Sequence, residues 1–404
     1  MSHRGTPGLM KRLNRSAILG LLREEGPLSR SDLARRLGLS PSTVTRIVVR
    51  LIEEGLVFET ETVNSATGRK PTLLEFNYKA GVVIGVDVGG TTVVSVVADL
   101  RGDILFRKDI PVCSGDDRSD NLESVLSLIE ELRHIQGIPP EKIRGIGVAV
   151  PSIVKEPEGI VVWAPALGWR DLHLKALLED RFGLPSFVEN DVNLAALGES
   201  RFGCAQGVTN LVAIFIGTGI GGGLILNGDL YRGRYGAAGE LGYLLPTPND
   251  LGQTYEQFGC LETLAAGPGI AQRAKAALAA GETSVLTDID LLTAREVFEA
   301  ARDADSLAIR VIEETVDYLA QAIANVTAVL NPEMVVLGGG VARSGDLLLE
   351  PIKERVRGRI PVMPEIVLSE LGDEAVVQGA VALAVSATRS DVVVRDAKLS
   401  VAAG

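Results

Sequence analysis

Three glycine clusters, each set directly behind a run of apolar residues, are the feature that most limits what this chain can fold into. GVVIGVDV leads into Gly89-Gly90-Thr91-Thr92, LVAIFI into Gly217-Thr218-Gly219-Ile220-Gly221-Gly222-Gly223, and MVVL into Gly338-Gly339-Gly340. A short apolar run closed by a tight glycine turn reads as a buried strand. Glycine there lets backbone N–H groups come close to phosphate, and threonine hydroxyls add donors. One such turn is a weak signal. Three together point to a nucleotide held in a cleft between two α/β lobes. No Gly-x-x-x-x-Gly-Lys-Ser/Thr segment occurs, so the turns are not a P-loop. Apolar residues are 46% of the 404 and there are 45 glycines, which suits two or three α/β domains rich in tight turns.

Polar residues fall at the ends of these strands. Asp87 closes the first apolar strand, where an Asp can bind Mg²⁺ through water or position it. LPSFVENDVNLAALGE reads as a strand ending at Glu189-Asn190-Asp191, followed by a helix. An Asp at such a junction serves as general base toward a hydroxyl nucleophile, as helix cap, or as both. Glu240, in the glycine-rich YGAAGELGYL, is placed to accept bonds from ligand hydroxyls. The three histidines, His3, His134 and His173, lie outside these segments, which argues against histidine-based acid–base or metal chemistry.

The first 80 residues have a different character. They carry 13 Lys and Arg against 8 Asp and Glu, whereas the rest carries 27 against 44. A basic head on an acidic body suggests that only the head meets a polyanion. In KRLNRSAILGLLREE, the residues Leu13, Ile18, Leu21 and Leu22 form one helical stripe, and Gly26-Pro27 stops the helix. Ser29 or Ser31 can cap a short helix with Leu33, Ala34 and Leu37 inward, and Gly38 supplies a turn. Ser40 caps the next helix, with Pro41 at its first position and Val44, Ile47, Val48 and Leu51 facing a core. This order of helix, glycine turn and helix is that of a helix-turn-helix. Its second helix exposes Ser42, Thr43, Thr45, Arg46 and Arg50: short hydroxyls that fit a major groove and arginines that reach base edges or phosphates. LVFETETV and TLLEFNY then form a hairpin wing, with Gly68, Arg69, Lys70 and Pro71 at a basic tip suited to a minor groove.

Cys113, Cys204 and Cys260 are sparse and far apart, which is no disulfide framework and predicts a cytoplasmic protein. The N-terminus has no apolar core of a signal peptide, and no run reaches about 18 uninterrupted apolar residues, so no membrane span is expected.

Taken jointly, these residues resemble the ROK family (repressor, open reading frame, kinase) of the actin-like ATPase and sugar kinase superfamily, whose repressors also carry an N-terminal winged helix. The resemblance covers nearly the whole chain. Asp87-Val88-Gly89-Gly90-Thr91 is similar to the family's first phosphate motif, Gly217 to Gly223 to its second, and Gly338-Gly339-Gly340-Val341 to its adenosine segment. Asn190 and Asp191 match the sugar-binding Asn and the catalytic Asp, and Glu240 the sugar-binding Glu of a Gly-Glu-x-Gly-His motif. Glu262 matches a further sugar-contacting Glu. The sequence departs from the family at its zinc site, built from that motif's His and three Cys. Tyr243 replaces the His, Gln253 and Tyr255 replace two Cys, and Cys260 alone remains. One thiol cannot make a tetrahedral Zn²⁺ site, so no structural zinc is expected. Tyr243 also takes the place of a sugar contact. Ala166 stands where many relatives have Asn, and Thr92 where many kinases have Lys.

The resemblance implies a winged helix over residues 1–80 and a two-lobed body over 81–404. The first lobe would cover about 81–190 with a C-terminal helix from about 376, and the second about 191–375. It implies a sugar-responsive transcriptional regulator, a repressor binding double-stranded operator DNA as a homodimer or homotetramer, with a sugar or sugar phosphate as effector. The alternative is an ATP-dependent sugar kinase of hexose or N-acetyl-hexosamine type carrying a DNA-binding head, with Mg-ATP in the cleft and Asp191 as base.

Overall fold

Short-range signals build the head, and the structure, a computed structural model, describes residues 7–60, 72–112, 120–255 and 258–391. Helix Pro7–Glu25 is followed by helices Arg30–Leu37 and Pro41–Glu53. The Ser29 hydroxyl accepts from the Asp32 N–H at 3.1 Å and the Ser40 hydroxyl from the Thr43 N–H at 3.2 Å, so each helix starts on a side-chain cap. Gly38, at φ 63°, ends the first of the two in the left-handed region, and the chain turns there into the second. Val44, Ile47, Val48 and Leu51 are buried as their spacing requires. The first helix differs from its expected phase. Ile18, Leu19 and Leu22 are buried, whereas Leu13 is 55% exposed, because the core ends one turn short of it. Strands Val57–Thr60 and Leu73–Phe76 pair antiparallel, with Leu28–Ser29 on the far side of Leu73–Phe76. This is a winged helix-turn-helix. The wing tip, with Gly68, Arg69, Lys70 and Pro71, lies outside the described residues.

The body holds two five-stranded sheets of the same topology. In the first, Val82–Val88, Thr92–Asp99 and Ile104–Pro111 form an antiparallel meander, and Ile143–Val150 and Ser186–Asn190 add in parallel on the other side. In the second, Leu211–Ile216, Ile220–Leu226 and Asp229–Leu230 form the meander, and Met334–Gly338 and Glu365–Leu368 add in parallel. The central strands are apolar on both faces, as strands covered on both sides must be.

Helices Asp191–Phe202 and Ala375–Asp391 cross in backbone contact between these sheets. A Cβ on Gly379 would stand 1.8 Å from the Leu194 carbonyl oxygen, and one on Gly198 would stand 2.2 Å from that of Ala375. The closing helix Ala375–Asp391 also lies on the first sheet, where a Cβ on Gly147 would meet the Ala380 oxygen at 2.1 Å. Its other side enters the head. Val377, Val381 and Val385 join Val83 and Val96 of the first sheet and Ile18, Leu51 and Phe76 of the head in one buried cluster. Full burial of each such side chain contributes about 1.5–3 kcal/mol, so detaching the head would expose several at once. The junction is polar at its rim: the Tyr78 hydroxyl donates to the Arg23 carbonyl at 3.3 Å, and the Arg101 guanidinium lies 4.5 Å from the Tyr78 ring. Among the described residues no helix is long and apolar enough to cross a membrane.

Candidate ligand cleft and DNA-binding face

In open α/β sheets, ligands gather at the carboxyl ends of parallel strands. Asp87 and Asn190 both sit at that edge of the first sheet, two strands apart across Ile143–Val150, which places their backbones about 10 Å from each other. Asn190 caps the helix that begins at Asp191: its Oδ1 accepts from the Asn193 N–H at 3.0 Å. The capping role weighed for Asp191 therefore belongs to Asn190. The Asp191 Oδ1 accepts from the Val192 N–H at 2.9 Å and from Asn190 Nδ2 at 3.0 Å. Asn190 Nδ2 also donates to the Ser152 carbonyl.

The electrostatics of this edge are unusual. Burial pushes the Asp87 carboxyl up to about 7, and the neighbouring Asp191 adds to the shift. Burial pushes Asp191 up to about 6, against the pull of hydrogen bonds from the Val192 and Asp191 N–H groups and from Asn190. Glu240 is exposed, and its carboxyl is raised by desolvation first, then by the nearby charges of Glu262 and Asp191. Tyr243, 45% exposed, is raised by the same desolvation and by Glu262 and Glu240.

Glu262 has a second task. Its Oε1 accepts from the Ile220 N–H at 2.8 Å and its Oε2 from the Gly259 N–H at 2.6 Å. It clamps the glycine loop after Leu211–Ile216 to the start of helix Cys260–Ala265. Sequence pattern alone left this clamp unseen, because its partners are up to 42 residues away.

The glycines of the three loops divide by physical cause. At Gly219 a Cβ would strike Glu262, at Gly221 Val192, at Gly89 the Thr92 carbonyl, and at Gly338 the Phe215 ring, so protein packing explains them. Gly339 is required twice: its φ is +85°, and a Cβ would stand 2.5 Å from the Ile216 oxygen. At Gly217 and Gly340 a Cβ would meet nothing within 4 Å, and at Gly90 only the Ala166 methyl at 3.7 Å. Those three glycines have open space beside them, and Thr91, Thr92 and Thr218 in the same loops are exposed. The strands carrying the second and third loops are parallel neighbours, Phe215 opposite Gly338.

The zinc position holds other chemistry. Burial raises the Cys260 thiol above its ordinary range, Asp250 adds to the shift, and a hydrogen bond with the Tyr255 hydroxyl opposes it. Among the described residues no three His, Cys, Asp or Glu converge to hold a metal. The Tyr243, Tyr255 and Cys260 side chains do not fit a tetrahedral zinc site. The Asp87 carboxylate does fit Mg²⁺ brought by a nucleotide, which takes one or two carboxylates and completes its shell with phosphate and water.

On the head, Ser42, Thr45, Arg46 and Arg50 are exposed along one face of helix Pro41–Glu53. Thr43 is half-buried and its hydroxyl accepts from Ser40 at 2.9 Å, so it supports the cap. Val49, 44% exposed on the same helix, escaped the sequence reading because an apolar residue there looks like core.

The charge of Asp87 has a thermodynamic consequence. Its pKa is higher in the folded chain than its ordinary 3.8, so the folded state holds the extra proton between those values. The Asp87 contribution to stability therefore falls as pH rises from about 4 to about 7 and is constant above. Asp87→Asn is expected to raise the thermal midpoint at pH 8, by about 2–4 °C per kcal/mol relieved, and to change it little at pH 4. Scanning calorimetry of the unliganded chain checks this, and equal shifts at both pH values would contradict it.

A winged helix-turn-helix joined to a duplicated, two-lobed actin-like fold with an acidic cleft defines the class of protein. The chain belongs to the ROK family, whose model matches residues 83–387, and a winged helix-turn-helix DNA-binding model matches residues 12–57. It is 30% identical over 389 residues to the xylose repressor of Caldicellulosiruptor bescii, covering 95% of this chain and 98% of that one. A solved ROK family transcriptional regulator, a homologue of the Escherichia coli MLC protein, aligns over 96% of this chain and 98% of its own, with 31% identity and a TM-score of 0.83. A ROK family glucokinase from Streptomyces griseus, solved with glucose and AMPPNP, aligns over 75% of this chain and 99% of its own, with 30% identity and a TM-score of 0.63.

Proposed function

We propose that this chain is a sugar-responsive transcriptional repressor that holds operator DNA through its head and reads a sugar in its body. The observation that carries this is the shared core. The cleft helix Asp191–Phe202 crosses the closing helix Ala375–Asp391 at Gly198 and Gly379, and the closing helix in turn packs into the head. A ligand that favours one arrangement of the lobes therefore moves the head as well, which is what coupling between two sites requires. Arg46 and Arg50 would read base edges or phosphates, with Ser42 and Thr45 beside them and Val49 against a thymine methyl. A homodimer, or a tetramer built from it, would present two heads to a palindrome-like site.

Asn190, Asp191, Glu240, Tyr243 and Glu262 would contact the sugar. Carboxylates accept from sugar hydroxyls in pairs, and at least three of them around one space repel an anion. A neutral sugar is therefore favoured over a sugar phosphate. The full-length similarity to a xylose repressor supports this reading.

The titration of Asp191 near neutrality favours a second reading, an ATP-dependent sugar kinase with a DNA-binding head. Asp191 would take the proton of the attacking sugar hydroxyl. The backbone at Gly90, Gly217 and Gly340 and the Thr91, Thr92 and Thr218 hydroxyls would hold the nucleotide, and Asp87 its Mg²⁺, which neutralises phosphate charge when bound. ADP release with Mg-ATP and a panel of pentoses, hexoses and N-acetyl-hexosamines separates the two. A pure regulator gives no sugar-dependent turnover. Turnover that Asp191→Asn lowers by about 10²-fold or more would establish the kinase.

A further inference from the structure

The buried carboxylate next to the cleft is used by neither reading. Glu189, only 2% exposed, lies at the end of strand Ser186–Asn190 in the first sheet. Its Oε1 accepts from the Asn190 N–H at 2.8 Å and from Asn193 Nδ2 at 3.0 Å. Its Oε2 is ion-paired with the Arg232 guanidinium, which comes from the second sheet, just beyond the short strand Asp229–Leu230. Glu156 stands nearby: its carboxyl is held above the ordinary range by burial first and by the Glu189 charge, against the pull of Arg232 and Lys175.

The chain around Arg232 forms a strap between the lobes. The Arg232 carbonyl accepts from the Ala238 N–H at 3.1 Å, closing a small loop. Within it Gly236 lies so close to the first lobe that a Cβ would stand 2.2 Å from the Val154 oxygen. The loop ends at Gly239, whose carbonyl accepts from the Gly222 N–H at 2.7 Å, and Glu240 follows directly. Arg232 therefore anchors one end of the segment that delivers Glu240, and its partner Glu189 grips the backbone of Asn190, next to Asp191.

We infer that Glu189 and Arg232 form a positioning pair that fixes the two halves of the ligand site, Asn190-Asp191 on one lobe and Glu240 on the other, relative to each other. Neither residue touches ligand. The pair sets affinity by holding the carboxylates at the spacing a sugar needs, and misplacement of a positioned group lowers binding even when every contact residue remains. A buried pair is weak evidence of stability alone, since desolvation offsets most of the attraction. Its value here lies in geometry.

This rests on the proposed sugar site, and the test has one arm that does not. The full-length wild type, Arg232→Gln, Arg232→Lys and the charge-free Glu189→Gln/Arg232→Gln chain are compared. The double variant leaves no unpaired buried charge and keeps an acceptor for Asn190. In hydrogen–deuterium exchange without ligand, Arg232→Gln is expected to speed exchange in both 186–193 and 229–240. Unchanged protection of 186–193 would overturn the pairing across lobes. In calorimetric titration with sugars of the panel above, Arg232→Gln is expected to weaken binding by about 10-fold or more, the double variant by no more than that, and Arg232→Lys by less. Wild-type sugar affinity in Arg232→Gln would overturn the positioning role. If the wild type binds no sugar, the reading of the cleft fails, and exchange alone decides the pair.

Discussion

Replacing Arg46 and Arg50 together with Ala is expected to lower affinity for the operator by about 10²-fold or more while leaving the fold intact. Both side chains are exposed on the helix that a glycine turn presents, and neither supports the core. Each bidentate arginine–guanine contact is worth about 1–3 kcal/mol of discrimination, and phosphate contacts add a salt-dependent share. The operator is first selected from a random duplex pool by the wild-type chain. Fluorescence anisotropy on that duplex and on a scrambled one then measures both affinity and preference. Retained affinity with retained preference would show that another surface reads the DNA.

The second large effect is expected at the helix crossing. Gly379→Ala places a methyl 1.8 Å from the Leu194 carbonyl oxygen, which is backbone and cannot swing aside. Overpacking of this kind costs about 1–3 kcal/mol or more, so the thermal midpoint should fall by roughly 2–10 °C. Gly20 is the control. It lies within helix Pro7–Glu25 with nothing within 4 Å of a Cβ, so Gly20→Ala should stabilise by about 0.5–1 kcal/mol. Differential scanning calorimetry compares the two. A Gly379→Ala chain as stable as wild type would mean that the helices are free to part, and the coupling route would lose its rigid element.

The head was legible in the sequence because its signals are local. Ser29, Gly38, Ser40 and Pro41 act within one or two turns of where they stand, and the burial of Val44, Ile47, Val48 and Leu51 follows from spacing alone. Strands ending in glycine were legible for the same reason. What joins the parts was not. The head core contains Val83 and Val381, far from Ile18 in sequence, and nothing local marks them as partners. Leu13 is exposed and Leu19 buried because the head core ends short of Leu13, which periodicity alone does not mark. Glu189 and Arg232 were missed for a related reason. A carboxylate in a strand reads as exposed until its partner, 43 residues on, is seen. Glycine counts also carried two meanings that only structure separates: packing at Gly219, Gly221 and Gly338, and open space at Gly217 and Gly340.

Affinity of the full chain for its selected operator, titrated with each sugar of the panel in wild type and in Asp191→Asn, tests sugar control of DNA binding most directly. At least one sugar is expected to change operator affinity by about 5-fold or more, and the change should vanish in Asp191→Asn while DNA binding itself persists. Operator affinity that stays constant while a sugar demonstrably fills the cleft would contradict the coupling of body to head.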